Sequence, residues 1–115
     1  MDTQFLNFHV TNTRWYQRLT NLELRMYHAN LLTVDNIQHR NQVFNPRQLG
    51  QAFMIDDDHK YFAQAGVPIL HLISYPFPSV WHTMGDNASV MNYQRTEVIS
   101  RVIAAFVCEY LHLNV

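Results

Sequence analysis

The amino-acid sequence predicts an α/β fold, of which this chain forms only a part. Two long segments with apolar residues at helical spacing lie near the ends of the chain, and between them runs the apolar stretch Val67–Ile73. A strand that is apolar on both faces is typical of the interior of a parallel sheet, where helices cover each side. One such strand cannot pair its own backbone groups. We therefore expect its partner strands to lie upstream or in another chain.

Length and composition limit the classes of protein that fit. The 115 residues are 48% hydrophobic and 15% charged, which suits one domain or part of one. A net charge of −1 gives no basic surface for nucleic acid, and no stretch reaches the roughly 20 apolar residues of a membrane span. The first ten residues lack the pattern of a secretion signal. A lone cysteine, Cys108, excludes an internal disulfide and a cysteine-based zinc finger.

The first helix is predicted to begin at Asn12 or Thr13 and to run to about Asn30. An apolar stripe defines its buried face, and charged side chains are expected to be solvated on the opposite face. The stripe comprises Trp15, Leu19, Leu22 and Met26, and the charged face includes Arg14, Arg18 and Glu23.

The middle of the chain alternates connections with short elements. Residues 31–51 are predicted to form a long polar connection, with a weak strand candidate at 51–55. Acidic residues 56–58 open a short helix that Gly66 closes, and the predicted strand follows. After the loop 74–87, Asn92 is expected to cap a last helix. Its stripe comprises Ile99, Val102, Ile103, Phe106, Tyr110 and Leu113.

Five side chains are candidates for chemistry, each with a plainer alternative. In open α/β sheets ligands gather beyond the carboxyl ends of strands, so the loop after Ile73 is the expected site. His82 in that loop is either a metal ligand or an ordinary surface histidine. Phe77 and Trp81 either line a pocket or close the edge of a core.

Asp57 and His71 are the other two candidates. Asp57 either caps the short helix or belongs to an acidic cluster whose members raise one another's pKa. His71 interrupts the apolar strand, and a buried imidazole needs a hydrogen-bond partner, whether structural or catalytic.

Four motifs occur in the order and spacing typical of one enzyme family. They are Asp57-Asp58-His59, the run from Gly66 to Ile73, Pro76-Phe77-Pro78, and Val80-Trp81-His82-Thr83-Met84. On these residues the chain resembles the carboxy-terminal portion of the glutaminyl-peptide cyclotransferases, with residues 1–115 as part of a single catalytic domain. The likeness extends over nearly the whole chain and is weakest between Leu32 and Gln51.

The resemblance implies a fold, an activity and a role for each candidate. The fold would be the α/β/α arrangement of zinc aminopeptidases, and the reaction would convert an amino-terminal glutamine, or more slowly glutamate, of peptides into pyroglutamate. His82 would be one ligand of a single Zn²⁺. Asp57 and His71 would belong to the catalytic network, and Phe77 and Trp81 to the substrate pocket. Members of the family work in the secretory pathway.

The same resemblance implies that important residues lie outside the sequence. The family's zinc-binding aspartate and glutamate and its acid/base glutamate would precede Met1. We therefore expect residues 1–115 alone to be inactive. Two alternatives remain: a zinc aminopeptidase of the same fold, and a shortened chain without catalysis.

Overall fold

A computed structural model describes residues 4–7, 13–32, 42–48 and 55–114. Within them, helices and a small parallel sheet give an α/β architecture. The elements, in chain order, are strand β1 (Phe5–Asn7), helix α1 (Thr13–His28), strand β2 (Phe44–Gln48), helix α2 (Lys60–Gln64), a 3-10 turn (Ala88–Val90) and helix α3 (Tyr93–Tyr110).

Helix α1 occupies the predicted position, but its buried face is rotated from the predicted stripe. Leu19 is fully buried as expected, whereas Trp15, Leu22 and Met26 are only half-buried. The fully buried face instead runs through Tyr16, Leu19, Thr20 and Glu23. The prediction that Glu23 is solvated is wrong, because the residue is 4% exposed.

Glu23 is buried because it binds the start of β2. Its Oε1 accepts a hydrogen bond from the Val43 backbone N–H at 2.7 Å, and its Oε2 accepts one from the Phe44 N–H at 2.9 Å. Burial raises the pKa of Glu23, while these two N–H groups and the charge of Arg95 act in the opposite direction. The carboxylate therefore joins the helix to the strand at the point where β2 enters the core.

Strands β1 and β2 are parallel, and the sheet between them is short and irregular. Phe5 pairs with Phe44 and Asn7 with Gln48, with a register shift between the two pairs. The two phenylalanine rings stack with centroids 5.3 Å apart. Tyr16 of α1 donates its hydroxyl to the Phe5 carbonyl at 2.7 Å, which fastens the helix to β1.

Strand β2 lies inside the stretch that the sequence predicts to be a connection. That prediction is wrong over residues 44–48, because they form a strand. Val43 and Phe44 are fully buried at its start, and the strand continues through the proline at position 46. A proline is tolerated in a strand at a sheet edge, where its missing N–H leaves no ladder bond unmade. The strand candidate at 51–55 lies mostly outside the described residues.

Helix α3 begins as predicted and completes the core. The Asn92 side chain accepts a hydrogen bond from the Arg95 N–H at 3.0 Å, which confirms the predicted cap. Val98 and Val102 are buried against α1, and an ion pair between Arg18 and Glu109 joins the two helices at their surface. Buried residues of the core are Tyr16, Leu19, Leu32, Val43, Phe44, Val98 and Val102.

The predicted buried strand at Val67–Ile73 is not a strand in this structure. The fold-class prediction of helices around that one buried strand is therefore corrected: among the described residues the sheet consists of β1 and β2. Val67 and Pro68 are exposed and residues 69–73 are half-buried, with Leu70 and Leu72 packing on the core. The segment meets β1 through one antiparallel bridge, Phe5 to Ser74. Without a strand beside it in the described part, its backbone does not form a ladder.

Helix α2 follows the acidic residues and ends at Gln64, and Gly66, the residue predicted to close it, follows its C-cap Ala65. Gly66 has a φ of 75°, a left-handed conformation that glycine adopts without steric cost. This reversal returns the chain past the residues that precede α2. None of the helices in the described ranges is long and apolar enough to cross a bilayer.

We expect the substitution Glu23→Ala to lower the free energy of unfolding by about 2 kcal/mol or more. It would leave two buried N–H groups without their acceptors, and each such group costs about 1–3 kcal/mol. The matched control is Glu97→Ala, because Glu97 is exposed and its ion pair with Arg101 lies on the surface of α3; a change of at most about 0.5 kcal/mol is expected there. Urea unfolding of the three proteins measures both values, and equal effects would contradict the role of Glu23.

The contribution of Glu23 to stability should also depend on pH. Because the folded pKa of this carboxyl is raised, its contribution is fully present below the ordinary glutamate range. Part of it is lost as the pH rises through the raised pKa. The difference in unfolding free energy between the native sequence and Glu23→Ala should therefore be larger at acidic than at neutral pH, and the opposite trend would show that the folded pKa is not raised.

Candidate functional site

The chain reversal at Gly66 brings two predicted site residues together. Asp57 precedes α2 and His71 follows it, fourteen residues later in sequence. The His71 Nε2 and the Asp57 Oδ2 lie 2.9 Å apart. The sequence-based expectation that His71 has a hydrogen-bond partner is thereby confirmed, and the partner is a carboxylate.

Asp57 is held as an ionised group. Besides His71, its carboxylate accepts a hydrogen bond from the Asp58 N–H at 2.9 Å. The hydrogen bond from His71 and then that from Asp58 lower the pKa of Asp57. The alternative prediction, in which an acidic cluster raises the pKa values of its members, therefore does not hold for Asp57. Asp56 instead pairs with Lys60 at 3.2 Å, and all three carboxylates are exposed to water, which weakens their mutual repulsion.

His59 is a third member of this group. Its ring stacks on that of His71 with centroids 3.8 Å apart and an interplanar angle of 26°. Burial and the neighbouring His71 lower the pKa of His59. Sequence reasoning gave His59 no role. The signal that could have found it is the Asp57-x-His59 spacing directly before a helix, together with a second histidine after the helix.

Asp57, His59 and His71 have the composition of a metal site. Each offers a ligand atom, and these atoms all lie within 4.8 Å of one another. Two imidazoles and a carboxylate are ligands that zinc accepts. Within this group Asp57 and His71 are hydrogen-bonded, so that an ionised carboxylate fixes the orientation of an imidazole, and His59 stacks on that imidazole. The arrangement could therefore either bind a cation or hold a proton on a ring nitrogen in a fixed position.

The second set of predicted residues lies in the loop 74–87. The rings of Phe77 and Trp81 stack with centroids 5.0 Å apart, and the Trp81 ring lies 4.0 Å from that of His82. Backbone turns shape this segment: the Trp81 N–H donates to the Pro78 carbonyl, and the Thr83 N–H to the Val80 carbonyl, both at 3.0 Å. The structure thus brings together the two predicted aromatic residues and the predicted metal ligand.

The aromatic residues of this loop are exposed. Phe77 is 40% and Trp81 50% exposed. Large aromatic rings left in contact with water typically mark a surface that binds something. The alternative prediction, that they close the edge of a core, is not what the structure shows.

His82 has an unusual backbone conformation. Its φ is 59°, in the left-handed region that residues other than glycine and asparagine seldom adopt. Such conformations cost free energy and are frequent at functional sites. The turn directs the chain so that the imidazole packs against Trp81.

The zinc implied by the family resemblance needs about three protein ligands and one open position. Among the described residues, His82 is not one of three clustered ligand groups; the group that the structure forms is Asp57, His59 and His71. His82 can therefore supply one ligand, and this part of the chain does not complete a zinc site around it.

Comparison with known proteins identifies the family. The model of peptidase family M28 matches residues 3–107. The chain is 39% identical to the glutaminyl-peptide cyclotransferase of Bos taurus over 95% of its length, and 39% identical to that of Drosophila melanogaster over 96%. It is 37% identical to a glutaminyl-peptide cyclotransferase-like protein of Mus musculus over 95%. The chain spans 29%, 32% and 27% of these relatives, respectively. It belongs to peptidase family M28.

Proposed function

We propose that this chain is the carboxy-terminal part of a glutaminyl-peptide cyclotransferase and bears the substrate entrance of its active site. The reaction joins the α-amine of an amino-terminal glutamine to its own γ-carbonyl carbon and releases ammonia. The observation that carries the proposal is the cluster of Phe77, Trp81 and His82 in one loop. The similarity to relatives with this name, over 95% of the chain, supports it.

The aromatic pair would bind the substrate. Two stacked, exposed rings offer a flat apolar wall against which the methylene groups of a glutamine side chain can pack. Packing there removes water from the amide and holds the amine near the carbonyl carbon, which lowers the entropic cost of ring closure. Peptides with amino-terminal glutamine, and more slowly glutamate, are the substrate class that follows.

His82 would be one zinc ligand, with the remaining ligands outside the described residues. A bound zinc ion supplies Lewis-acid polarisation of the carbonyl group. Contact with Trp81 restricts the imidazole ring, and a restricted ligand is better prepared to bind. The corresponding fold of the complete enzyme would be the α/β/α arrangement of zinc aminopeptidases.

Asp57 and His71 would hold a proton in place. Because the pKa of Asp57 is lowered, its carboxylate stays ionised and would accept a hydrogen bond from the His71 Nε2–H. This fixes the tautomer and the orientation of the imidazole ring. In the proposed enzyme the pair of Asp57 and His71 would position neighbouring residues of the catalytic network. The enzyme would work in a compartment of the secretory pathway, where peptides mature.

A second candidate function is hydrolysis by a zinc aminopeptidase. The observation in its favour is the family itself, since the model that matches residues 3–107 describes peptidases. Both functions need a metal and an entrance for a peptide amino terminus. They differ in the product, because the cyclase forms a lactam ring and the peptidase cleaves a peptide bond.

A chimeric enzyme separates these functions. The chain would replace the matched segment of the bovine relative, which covers 29% of that protein. We expect the chimera to convert a glutamine-initiated peptide into a product lighter by one ammonia, whereas residues 1–115 alone should be inactive. Mass spectrometry of the peptide measures both products. Release of the amino-terminal residue would favour the peptidase, and neither product from a folded, zinc-loaded chimera would contradict both proposals.

The substitution His82→Asn should abolish turnover by the chimera and lower its zinc content. Asparagine tolerates the left-handed conformation at this position, so the change removes the imidazole with little backbone strain. The matched control is His112→Asn, because His112 is also exposed and has a φ of 54°. Zinc content by atomic emission and rates of ammonia release are the measurements. Equal behaviour of the two variants would exclude His82 as a ligand.

The substitution Trp81→Ala in the chimera should lower kcat/KM about tenfold or more, which corresponds to about 1.4 kcal/mol of lost binding. The change removes a ring that stacks on Phe77 and contacts His82. Tyr93→Ala is the control, since Tyr93 is 70% exposed at the start of α3. A Trp81→Ala enzyme with unchanged KM and kcat would show that the aromatic pair does not bind substrate.

A further inference from the structure

The loop 74–87, which carries Phe77 and Trp81 and is called the aromatic loop below, ends at Asn87. This residue begins the acceptor sequence for N-linked oligosaccharides. Asn87-Ala88-Ser89 is the one Asn-X-Ser/Thr triplet in the sequence, and its middle residue is not proline. We propose that Asn87 is N-glycosylated. The proposal rests on the passage through the secretory pathway that the proposed function implies.

Exposure and backbone shape both suit modification at this position. Asn87, Ala88 and Ser89 are all exposed to solvent. Asn87 has φ −144° and ψ 179°, an extended conformation at the N-cap of the 3-10 turn that follows. A bulky glycan attached here would extend into water without displacing a buried group.

The side-chain contacts of the triplet prepare the amide. The Ser89 hydroxyl donates a hydrogen bond to the Asn87 Oδ1 at 2.7 Å, and the Ser89 backbone N–H donates to the same oxygen at 3.0 Å. Two donors on the carbonyl oxygen polarise the amide and make its N–H more acidic, which favours removal of a proton from the nitrogen as it forms the new bond. The hydroxyl required at the third position of the triplet thus already contacts the acceptor side chain.

The fold can keep its local contacts after modification. The Asn87 Nδ2 donates one hydrogen to the Met84 carbonyl at 3.0 Å and carries a second hydrogen. Glycosylation replaces one hydrogen and leaves one N–H. The Nδ2 forms a bond to the anomeric carbon of a polyisoprenyl-pyrophosphate-linked oligosaccharide, the bond from that carbon to the pyrophosphate oxygen breaks, and the pyrophosphate departs with the electron pair. A base of the transferase takes the amide proton.

The position of the glycan relates it to the proposed entrance. Asn87 follows His82 by five residues, and its amide is bonded to the backbone of Met84, which is 95% exposed. A glycan anchored there would be carried by the same loop as the exposed rings of Phe77 and Trp81. It would shield this apolar surface from association with other proteins while leaving a peptide terminus room to enter.

The test is translation of residues 1–115 behind a cleavable secretion signal in the presence of eukaryotic microsomes. We expect a product that loses mass on treatment with peptide-N-glycosidase. Asn87→Gln and Ser89→Ala should abolish this loss, Ser89→Thr should retain it, and the control Asn114→Gln should not change it. Asn114 is exposed and lies outside any acceptor triplet.

Two results would overturn the proposal. One is the absence of a glycosidase-sensitive product while a reporter glycoprotein translated in the same microsomes is modified. The other is a mass loss that persists in Asn87→Gln. The measurement reports sugar and not turnover, so an inactive chimera with a glycosylated Asn87 would contradict the proposed enzyme alone.

Discussion

The carboxylate of Glu23 is the interaction on which the rest of the described structure depends. It binds two consecutive N–H groups at the start of β2 and so sets the position of Phe44. Phe44 stacks on Phe5, and Phe5 bridges to Ser74, the first residue of the aromatic loop. A second bond, from the Tyr75 N–H to the Gln4 carbonyl at 3.0 Å, strengthens that attachment. A buried acid in α1 is thus connected, through the sheet, to the loop that carries the candidate entrance.

The helices were predictable from the sequence because the information that specifies them is local. Spacing of apolar residues, the Asn92 cap and the glycine after α2 each act within a few residues. The cap and the glycine are found in the structure, and the spacing located α1 although its buried face is rotated from the predicted stripe. The position of β2 was not predictable in this way. Its burial depends on Glu23, twenty residues earlier in the chain, and a charged residue on an amphipathic helix ordinarily indicates the solvated face.

The prediction that residues 67–73 form a buried strand was wrong for a related reason. Its composition suits burial on both faces, but a strand forms only where another strand supplies hydrogen bonds. In the described structure one side of the segment packs on the core through Leu70 and Leu72, while His71 between them contacts Asp57 and His59. The apolar composition therefore indicates that the segment is suited to burial. Its conformation depends on a partner strand, and no such strand lies beside it among the described residues.

The two parts of the candidate site, the pair of Asp57 and His71 and the aromatic loop, differ in the contacts that hold their side chains in place. The pair of Asp57 and His71 is fixed by short-range geometry, since α2 and the left-handed Gly66 bring residues fourteen apart into contact. That His71 needs a partner followed from burial alone, because an imidazole 7% exposed must bond to something. His59 was missed because stacking of two histidines leaves no periodic signal. The aromatic loop, in contrast, is defined by contacts between Phe77, Trp81 and His82 on an exposed surface. Under the proposed function, this chain's residues would recognise the substrate and position one zinc ligand and one proton, and the remaining ligands would lie outside the described residues.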